Sequence, residues 1–439
     1  MGEVLICIDY STGVIEERRM LIPSSVLEKI INIMKHTLCV LTFLLLAPAL
    51  LSAQERDYAA MREQLLALGE LTKPPQVYEA EEYQTEGDVR AIFYDGIEYQ
   101  GKPTRVFAWL GVPSNVDKKL PGIVLVHGGG GTAFKEWVEL WNGQGFAAIS
   151  IAVEGQLDRR VQGTDAKRPP WQQHESAGPK RTGIFDDTDK PLAEQWMYQA
   201  LAQTVLANSL LRSLPEVDED KVGLMGISWG GVITSGIIGI DDRFAFAIPT
   251  YGCGHLFDSD NQWGRALGNN EVYKKVYDPM NWMDRVTMPV QWLSWPKDSH
   301  FPLDSQRACY QATNGHYMVS LIPGMGHSHQ AGWRPPDSYS FAKSIVETGK
   351  LWAKCESVGV EEQQVTAEFT SSKSLDKATL IYTTETGFTG DREWLAHEAE
   401  LRQSGDKWIV TTKLPKESVG WFVNVNSSDL TVSSEYQGE

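Results

Sequence analysis

Short, continuous apolar runs separated by longer amphipathic stretches dominate the middle of the chain. The runs occupy residues 122–126, 147–152, 222–226, 244–249, 288–293 and 318–322. A strand buried on both faces needs apolar side chains at successive positions, so each run predicts a buried strand. Helices are predicted between and after them, at residues 133–141, 193–214, 231–240 and 338–348. Alternating strands and helices predict a doubly wound, mostly parallel sheet whose ligands gather at the carboxyl ends of the strands.

The pattern changes at both ends of this region. Residues 59–71 predict a helix, and residues 89–94 and 105–112 flank turn residues as antiparallel edge strands do. Beyond residue 355, short alternating runs are separated by Gly, Ser and Asp, at residues 365–369, 378–382, 408–412 and 420–425. These runs predict a small immunoglobulin-like β-sandwich. We therefore expect an α/β domain at residues 54–355 and a β-sandwich domain at residues 356–439. The sandwich is either a carbohydrate-contacting or docking module or a structural appendage packed on the α/β domain.

Two long stretches follow predicted strands and match neither strand nor regular helix. They cover residues 154–189, which are rich in Pro and Gly, and residues 252–282. Loops of this length inside a compact domain are usually functional or disordered. Because both leave the carboxyl ends of strands, we expect them to cover the ligand site together.

The amino-terminal part has the layout of a secretory signal peptide that starts at an internal methionine. From Met34 the chain reads Met-Lys-His-Thr, then an apolar run to residue 51, then Ser-Ala-Gln. The run is shorter than the roughly 20 residues that span a bilayer. We therefore expect cleavage after Ala53 and a secreted or periplasmic mature chain without an integral membrane span, a membrane anchor being the alternative. Residues 34–53 would be the signal peptide, and residues 1–33 an upstream translation artefact or non-standard extension.

The composition and charge of the chain exclude several kinds of binding partner. The chain has 42% hydrophobic and 22% charged residues, as folded proteins do, and a net charge of −17. That charge argues against binding to nucleic acid or to an anionic membrane surface. Three cysteines remain after the leader, Cys253, Cys309 and Cys355, and an odd number leaves one thiol unpaired. No metal-ligand spacing is present, so we infer neither a metal nor a cofactor.

Residues 226–230 read Gly-Ile-Ser-Trp-Gly between a predicted strand and a predicted helix. This strand-turn-helix context is the one in which a sharp turn exposes a nucleophilic serine. The turn crowds the positions two before and two after the serine, which explains the two glycines. Ser228 is therefore the predicted nucleophile of an acyl-transfer reaction.

Residues 127–131 read His-Gly-Gly-Gly-Gly at the end of an earlier strand. Glycines let a backbone approach a substrate closely, and backbone N–H groups can stabilise the oxyanion that forms when a serine attacks a carbonyl. We predict that one N–H comes from Gly129, with Gly130 as the alternative, and the other from Trp229. A plain tight turn is the competing interpretation.

The catalytic acid and base should follow the serine in that order. Asp298 lies just beyond the predicted strand at residues 288–293, whereas its rivals Asp284 and Asp304 lie before that strand or deeper in the next helix. For the base, residues 321–327 read as a strand end and glycine loop that lead to His327, and His329 competes two residues later. We predict the triad Ser228, Asp298 and His327. His300 and His316 precede the last strand and are interpreted as ordinary residues.

Aromatic residues in strand-end loops are candidates for substrate contact. Trp171, Trp295, Trp333 and His329 are the predicted substrate-binding residues, since an indole offers a flat face to a sugar ring. Packing under the insertions is the alternative for each tryptophan. Arg159 and Arg160 could pair with a substrate carboxylate, although surface arginines are usually just solvated.

The chain from about residue 122 to residue 345 resembles the dienelactone hydrolase and acetylxylan esterase-like branch of the α/β-hydrolases. The motifs that carry the resemblance are the glycine loop, residues 221–231, Asp298 followed by Phe-Pro at 301–302, and Pro-Gly-Met-Gly-His at 323–327. Dienelactone hydrolases proper resemble it less, because they use a cysteine nucleophile. The resemblance implies an exported serine carboxylesterase acting on a small-molecule or polysaccharide ester, and it does not cover the β-sandwich.

Two other function classes compete with this interpretation. Serine peptidases of the prolyl oligopeptidase type share the elbow and the order of the triad, but they normally carry a large amino-terminal β-propeller. A non-catalytic binding protein on a hydrolase scaffold would lack a triad member, and none is missing here.

Overall fold

The computed structural model describes residues 56–438 except 85–86, 115–116 and 164–165, together with the isolated positions Ser25 and Lys29. The predicted signal peptide at residues 34–53 lies outside the described residues, as does the predicted extension at residues 1–33 apart from those two positions. Residues from Tyr58 onward form one compact unit. Within the described residues, no helix is long and apolar enough to cross a membrane.

The strands follow one another along the chain with these bounds. They are β1 (Val77–Glu79), β2 (Val89–Asp95), β3 (Arg105–Gly111), β4 (Leu120–Val126), β5 (Ala147–Ile151), β6 (Gln156–Arg160), β7 (Trp171–Gln173), β8 (Val217–Ile227), β9 (Phe246–Thr250), β10 (Val290–Ser294), β11 (Tyr317–Leu321), β12 (Ala353–Glu361), β13 (Gln364–Ser371), β14 (Lys377–Thr383), β15 (Leu395–Glu398), β16 (Glu400–Ser404), β17 (Lys407–Lys413), β18 (Gly420–Ser427), β19 (Leu430–Ser433) and β20 (Gln437–Gly438).

The α-helices of the described chain lie mainly between the strands of its first two thirds. They are α1 (Tyr58–Leu66), α2 (Lys135–Gly143), α3 (Trp196–Ser213), α4 (Trp229–Ile237), α5 (Gln262–Leu267), α6 (Leu303–Ala312), α7 (His329–Trp333) and α8 (Pro336–Thr348). Of these, α3 is buried along nearly its whole length. Short 3-10 and π turns occur at residues 67–70, 192–194, 256–258, 273–277, 279–281 and 283–285.

The central sheet has the mostly parallel core that the apolar runs predicted. Its order is β1-β2-β3-β5-β4-β8-β9-β10-β11, and the six strands from β5 to β11 in this order pair in parallel. Every residue of β5, β9 and β10 is buried, because helices cover both faces of the sheet. Strands β1, β2 and β3 pair antiparallel at one edge, as expected for the turn-flanked runs there. The α/β fold class is therefore confirmed.

The carboxyl-terminal strands continue this sheet. Strand β19 pairs antiparallel with β11, and β18, β14 and β15 follow, so that the sheet reaches 14 strands in the described chain. The remaining strands form a separate four-stranded antiparallel sheet in the order β12-β13-β17-β16. One layer of the predicted sandwich thus extends the central sheet. The domain boundary at residue 355 falls within one compact unit and stays a prediction.

Both long insertions contain regular structure that we did not predict. Residues 154–189 include the antiparallel hairpin of β6 and β7, and residues 252–282 include α5. Strand β6 is mostly polar, with the sequence Gln-Leu-Asp-Arg-Arg, so its residues lack the alternation that identifies a strand. Contacts across the hairpin hold it instead, since the Arg160 guanidinium carbon lies 3.3 Å from the centre of the Trp171 ring.

Candidate active site

Ser228 lies between β8 and α4 with a strained backbone. Its φ of 59° and ψ of −116° are unusual for a residue with a side chain. The two flanking glycines explain how the turn closes. A Cβ on Gly226 would lie 2.0 Å from the Gly230 carbonyl oxygen, and a Cβ on Gly230 would lie 2.0 Å from the Val126 carbonyl oxygen. Only glycine therefore fits at either position, and the turn holds Ser228 at the carboxyl edge of the parallel strands.

The three residues of the predicted triad meet at this turn. His327 Nε2 lies 3.0 Å from Ser228 Oγ, and His327 Nδ1 lies 2.7 Å from Asp298 Oδ2. The carboxylate accepts the Nδ1–H, which leaves Nε2 as the acceptor for the serine hydroxyl. His327 follows β11 and Asp298 follows β10, so neighbouring strands deliver both groups to the same edge.

Asp298 is almost fully buried, at 1% exposure, and its carboxylate is satisfied on both oxygens. Oδ1 accepts the backbone N–H groups of His300 at 2.8 Å and Phe301 at 2.9 Å, while Oδ2 accepts from His327. Potential metal-ligand atoms of Asp298, His300 and His327 lie within 4.8 Å of one another. The lone pairs that a metal would need on Asp298 already accept these hydrogen bonds, so the cluster fits an orienting carboxylate better than a metal centre.

Tyr251 holds His327 in place, a role that the sequence analysis missed. Its ring stacks on the His327 ring with 4.4 Å between centroids, and its hydroxyl donates to the Gly326 carbonyl at 2.8 Å. Its φ of 64° is again unusual for a non-glycine residue. The sequence contained one indication of this role. Tyr251 directly follows the buried strand β9, and residues at the carboxyl ends of such strands lie where ligands bind.

The glycine loop packs against the serine turn. A Cβ on Gly128 would lie 2.8 Å from Ser228 Cβ, and one on Gly129 would lie 2.8 Å from a ring carbon of Trp229. Within the described residues, the backbone N–H groups of Gly129 and Trp229 donate to no protein acceptor. Two free donors beside a serine hydroxyl are what an oxyanion requires.

Four side chains fix the glycine loop. The Gly128 N–H donates to His329 Nε2 at 2.9 Å, and Trp171 Nε1 donates to the Gly130 carbonyl at 2.9 Å. Gln156 Nε2 donates to the Gly131 carbonyl at 2.9 Å. Within the loop, His127 Nδ1 lies 2.7 Å from the Gly128 carbonyl, and burial lowers the pKa of His127 to about 4. The role of Gln156 was not visible in the sequence, since it lies in the unpredicted hairpin.

A cavity of about 580 Å³ opens beside this loop. Of the predicted substrate residues, Trp171, His329 and Trp333 line it together with Gly129 and Gly130, whereas Trp295 is not among the described residues that line it. Phe134 joins the three, with its ring centre 4.8 Å from that of His329 and 5.3 Å from that of Trp333. Both predicted roofing segments approach the site, the first through Trp171 and the second through Trp263, whose ring contacts that of Trp229 at 5.0 Å.

The serine turn, its hydrogen-bonded histidine and carboxylate, and the glycine loop on a mostly parallel sheet define an α/β-hydrolase. The family model for acetyl xylan esterases matches residues 51–284, just over half of the chain. The chain belongs to the acetyl xylan esterase family, and it is a carboxylic ester hydrolase of the serine hydrolase type. The matched segment contains the glycine loop and Ser228 but ends before Asp298 and His327.

Three solved structures match part of this chain at low identity, each with a TM-score below 0.5. The acetyl xylan esterase from Paenibacillus sp. R4 is 22% identical, with 62% of this chain and 90% of that chain covered and a TM-score of 0.46. Acetyl xylan esterase 1 from Thermoanaerobacterium sp. JW/SL YS485 is 18% identical, with 62% and 89% covered and a TM-score of 0.49. The acylaminoacyl peptidase of Pyrococcus horikoshii is 18% identical, with 61% and 42% covered and a TM-score of 0.42. The search of curated proteins found no match.

Proposed function

We propose that the protein cleaves carboxylic esters through a covalent acyl-enzyme on Ser228. The hydrogen-bonded chain from Ser228 through His327 to Asp298, with distances of 3.0 and 2.7 Å, carries the proposal. A serine hydroxyl is a weak nucleophile at neutral pH and needs a base within this reach. Membership of the acetyl xylan esterase family supports an ester rather than an amide as the bond cleaved.

In the first half of the reaction, Ser228 Oγ attacks the ester carbonyl carbon while its proton passes to His327 Nε2. The carbonyl oxygen becomes an oxyanion that accepts hydrogen bonds from the Gly129 and Trp229 N–H groups. The intermediate then expels the alcohol, which takes the proton from His327, and the acyl group remains on Ser228. Asp298 orients the imidazole and stabilises its cationic form without taking the proton.

In the second half, water attacks the acyl-enzyme and gives a proton to His327 Nε2. The same two N–H groups stabilise the second oxyanion. Collapse returns the proton to Ser228 Oγ and releases the carboxylic acid, so the enzyme is unchanged and one water is consumed for each ester cleaved. Gly129 is better suited to the hole than Gly130, because an added Cβ would lie 2.8 Å from the Trp229 ring at Gly129 but would meet nothing within 4 Å at Gly130.

For the substrate, we propose short acyl groups, acetyl above all, carried on a polysaccharide. The family supports acetyl esters of a sugar chain, and the cavity beside the glycine loop supports a ligand larger than the acyl group. A volume of about 580 Å³ lies in the range of ordinary small-ligand pockets, so one or two sugar units can enter it.

The test compares wild type with Ser228→Ala on p-nitrophenyl esters, acetylated xylan, methyl uronates and dipeptide amides. We expect the wild type to cleave short-chain esters and acetylated xylan, and the Ala variant to lose at least about a thousandfold of the rate. Mass spectrometry after treatment with a fluorophosphonate should find the label on Ser228. An ester rate that survives in Ser228→Ala would contradict the acyl-enzyme.

The same panel separates the competing functions. Cleavage of dipeptide amides without esters would identify a peptidase, and cleavage of no substrate by a correctly folded chain would favour a binding protein. Separate His327→Ala and His329→Ala variants identify the base, because only loss of the base removes the proton acceptor of Ser228.

We also propose that the chain is exported. The support is the charged start at Met34, the apolar run to residue 51 and the small residues that end at Ala53. Expression of residues 34–439 in a bacterial host, followed by amino-terminal sequencing of the periplasmic or secreted product, should find Gln54 as the first residue. A product that keeps Met34 in the cytoplasm would contradict export.

A further inference from the structure

Three arginines face the cavity beside the glycine loop. Arg160, Arg168 and Arg334 line it, and the acid in its lining is Glu136. Within the described residues, none of the three arginines forms an ion pair, although Arg159, Arg181, Arg212 and Arg243 all do. Burial and the neighbouring charge of Arg168 lower the pKa of Arg160, so the two cations lie close enough to repel each other. Such a concentration of positive charge is unexpected in a chain of net charge −17.

The structure holds the Arg160 guanidinium in a binding geometry. It stacks 3.3 Å from the centre of the Trp171 ring, and one of its N–H groups donates to the Pro169 carbonyl at 2.7 Å. Within the described residues, the Nε and Nη2 groups of Arg160 donate to no protein acceptor, and the edge that they form matches the two oxygens of a carboxylate. The nearest acid on the same strand, Asp158, already accepts from Trp109 Nε1 at 2.9 Å.

The glycine loop at residues 127–131 borders both the cavity and the turn that carries Ser228. Gly129 and Gly130 line the cavity, and the preceding residue, Gly128, has its Cβ position 2.8 Å from Ser228 Cβ. Trp171 connects the two directly, since it stacks on Arg160 and donates to the Gly130 carbonyl. A ligand in the cavity therefore lies against the same glycine loop that packs on the serine turn.

We propose that this cavity binds the free carboxylate of an acidic sugar residue adjacent to the esterified one. The enzyme would then prefer esters on uronate-bearing polysaccharides over esters on neutral ones. This inference rests on the proposed esterase function and specifies its substrate class.

The test uses one pair of substrates that differ only in charge. Acetylated xylo-oligosaccharides with a glucuronic acid branch are compared with the same material after reduction of the carboxyl group to the alcohol. We expect the ratio of kcat/KM, acidic over reduced, to be about ten or more at low salt, because charge-assisted hydrogen bonds are strong and screened by salt. The ratio should fall as NaCl is added.

Three variants locate the effect. In the triple variant Arg160→Gln/Arg168→Gln/Arg334→Gln the ratio should approach one, because all three arginines of the cavity are removed. In Arg159→Gln the ratio should equal that of wild type. Arg159 lies beside Arg160 in β6 and carries the same charge, but it pairs with Glu82 at 3.1 Å and does not line the cavity. Arg160→Lys keeps the charge but loses the planar fork, so its ratio should fall between those of the wild type and the triple variant.

The possible outcomes distinguish failure of the carboxylate site from failure of the esterase function. A wild-type ratio near one, or a high ratio that persists in the triple variant, overturns the carboxylate site. An equal preference for a sulfated analogue of the acidic substrate would mean that the cavity selects negative charge and not a carboxylate, which also overturns the proposal as stated. Absence of Ser228-dependent hydrolysis of p-nitrophenyl acetate would instead refute the underlying esterase function.

Discussion

His329 Nε2 accepts a hydrogen bond of 2.9 Å from the backbone N–H of Gly128, the residue whose Cα faces Ser228. Burial lowers the pKa of His329 to about 3, so the ring stays neutral at ordinary pH and keeps the lone pair that accepts this bond. The histidine that competed with His327 for the role of base therefore positions the glycine loop. It binds the first glycine of the loop and leaves the Gly129 N–H free.

The first prediction concerns this contact. In His329→Ala the loop loses its anchor, and we expect kcat for p-nitrophenyl acetate to fall by up to about 100-fold with little change in KM, since small misplacements of catalytic groups are costly. His329→Gln, whose side-chain oxygen can accept from Gly128, should recover most of kcat. The shape of the pH–rate profile above pH 5 should be the same in all three proteins. A loss of kcat that is equal in both variants would contradict a role in positioning the loop.

The second prediction concerns backbone strain at Ser228. Its φ of 59° and ψ of −116° are costly for any residue with a Cβ. Glycine would release about 1–3 kcal/mol of strain, against a loss of about 0.4–1 kcal/mol from the freer unfolded chain. We therefore expect Ser228→Gly to unfold in denaturant at a higher midpoint than Ser228→Ala, although both are inactive. Equal midpoints would mean that the turn stores little strain.

The third prediction compares two glycines of α4. A Cβ on Gly230 would lie 2.0 Å from the Val126 carbonyl oxygen, whereas a Cβ on Gly236 has Leu201 Cδ2 at 3.7 Å as its nearest neighbour. Gly230→Ala should destabilise the fold by about 3 kcal/mol or prevent folding. Gly236→Ala should be neutral or stabilising by up to about 1 kcal/mol, because alanine favours a helix. Chemical denaturation measures both, and a stable Gly230→Ala would contradict the described turn.

The fourth prediction concerns a buried acid away from the site. Asp337, in the first turn of α8, accepts the Thr431 N–H at 2.7 Å, and burial raises its pKa to about 7. The protonated form is favoured on folding, so its contribution to stability is complete below pH 4 and is lost as the pH rises to about 7. Asp337→Asn keeps the acceptor oxygen without the charge. We expect its Tm to exceed that of wild type by about 2–4 °C at pH 8, and the difference to vanish at pH 4.

Asp284→Asn is the control for that measurement, because Asp284 is exposed. It should change Tm by the same small amount at both values of pH. A difference between Asp337→Asn and wild type that does not depend on pH would show that the carboxyl group does not titrate between the two conditions.

Much of the fold was predictable because its signals are local. The buried strands β4, β5, β8, β9, β10 and β11 each contain a short, mostly apolar run, and runs of this length between longer amphipathic stretches are typical of strands buried on both faces. The hairpin of β6 and β7 was missed because its stability comes from Trp171 and Arg160, which are 11 positions apart in the chain. The continuation of the central sheet into β19 was missed for a similar reason, since the pairing of Val319 with Ser433 depends on register between distant strands.

The sequence by itself determined the order of the central buried strands and the helices between them, the steric need for Gly226 and Gly230, and the candidates Ser228, Asp298 and His327. Turn geometry depends on residues close together in the chain, and the order of the triad depends only on their sequence positions. Only the tertiary structure decided the separate positions of His327 and His329, one against Ser228 and the other against Gly128. It alone brought Arg160, Arg168 and Arg334 to one cavity. Two residues that are close in sequence can face different partners, and distant charges meet only when the segments that carry them pack together.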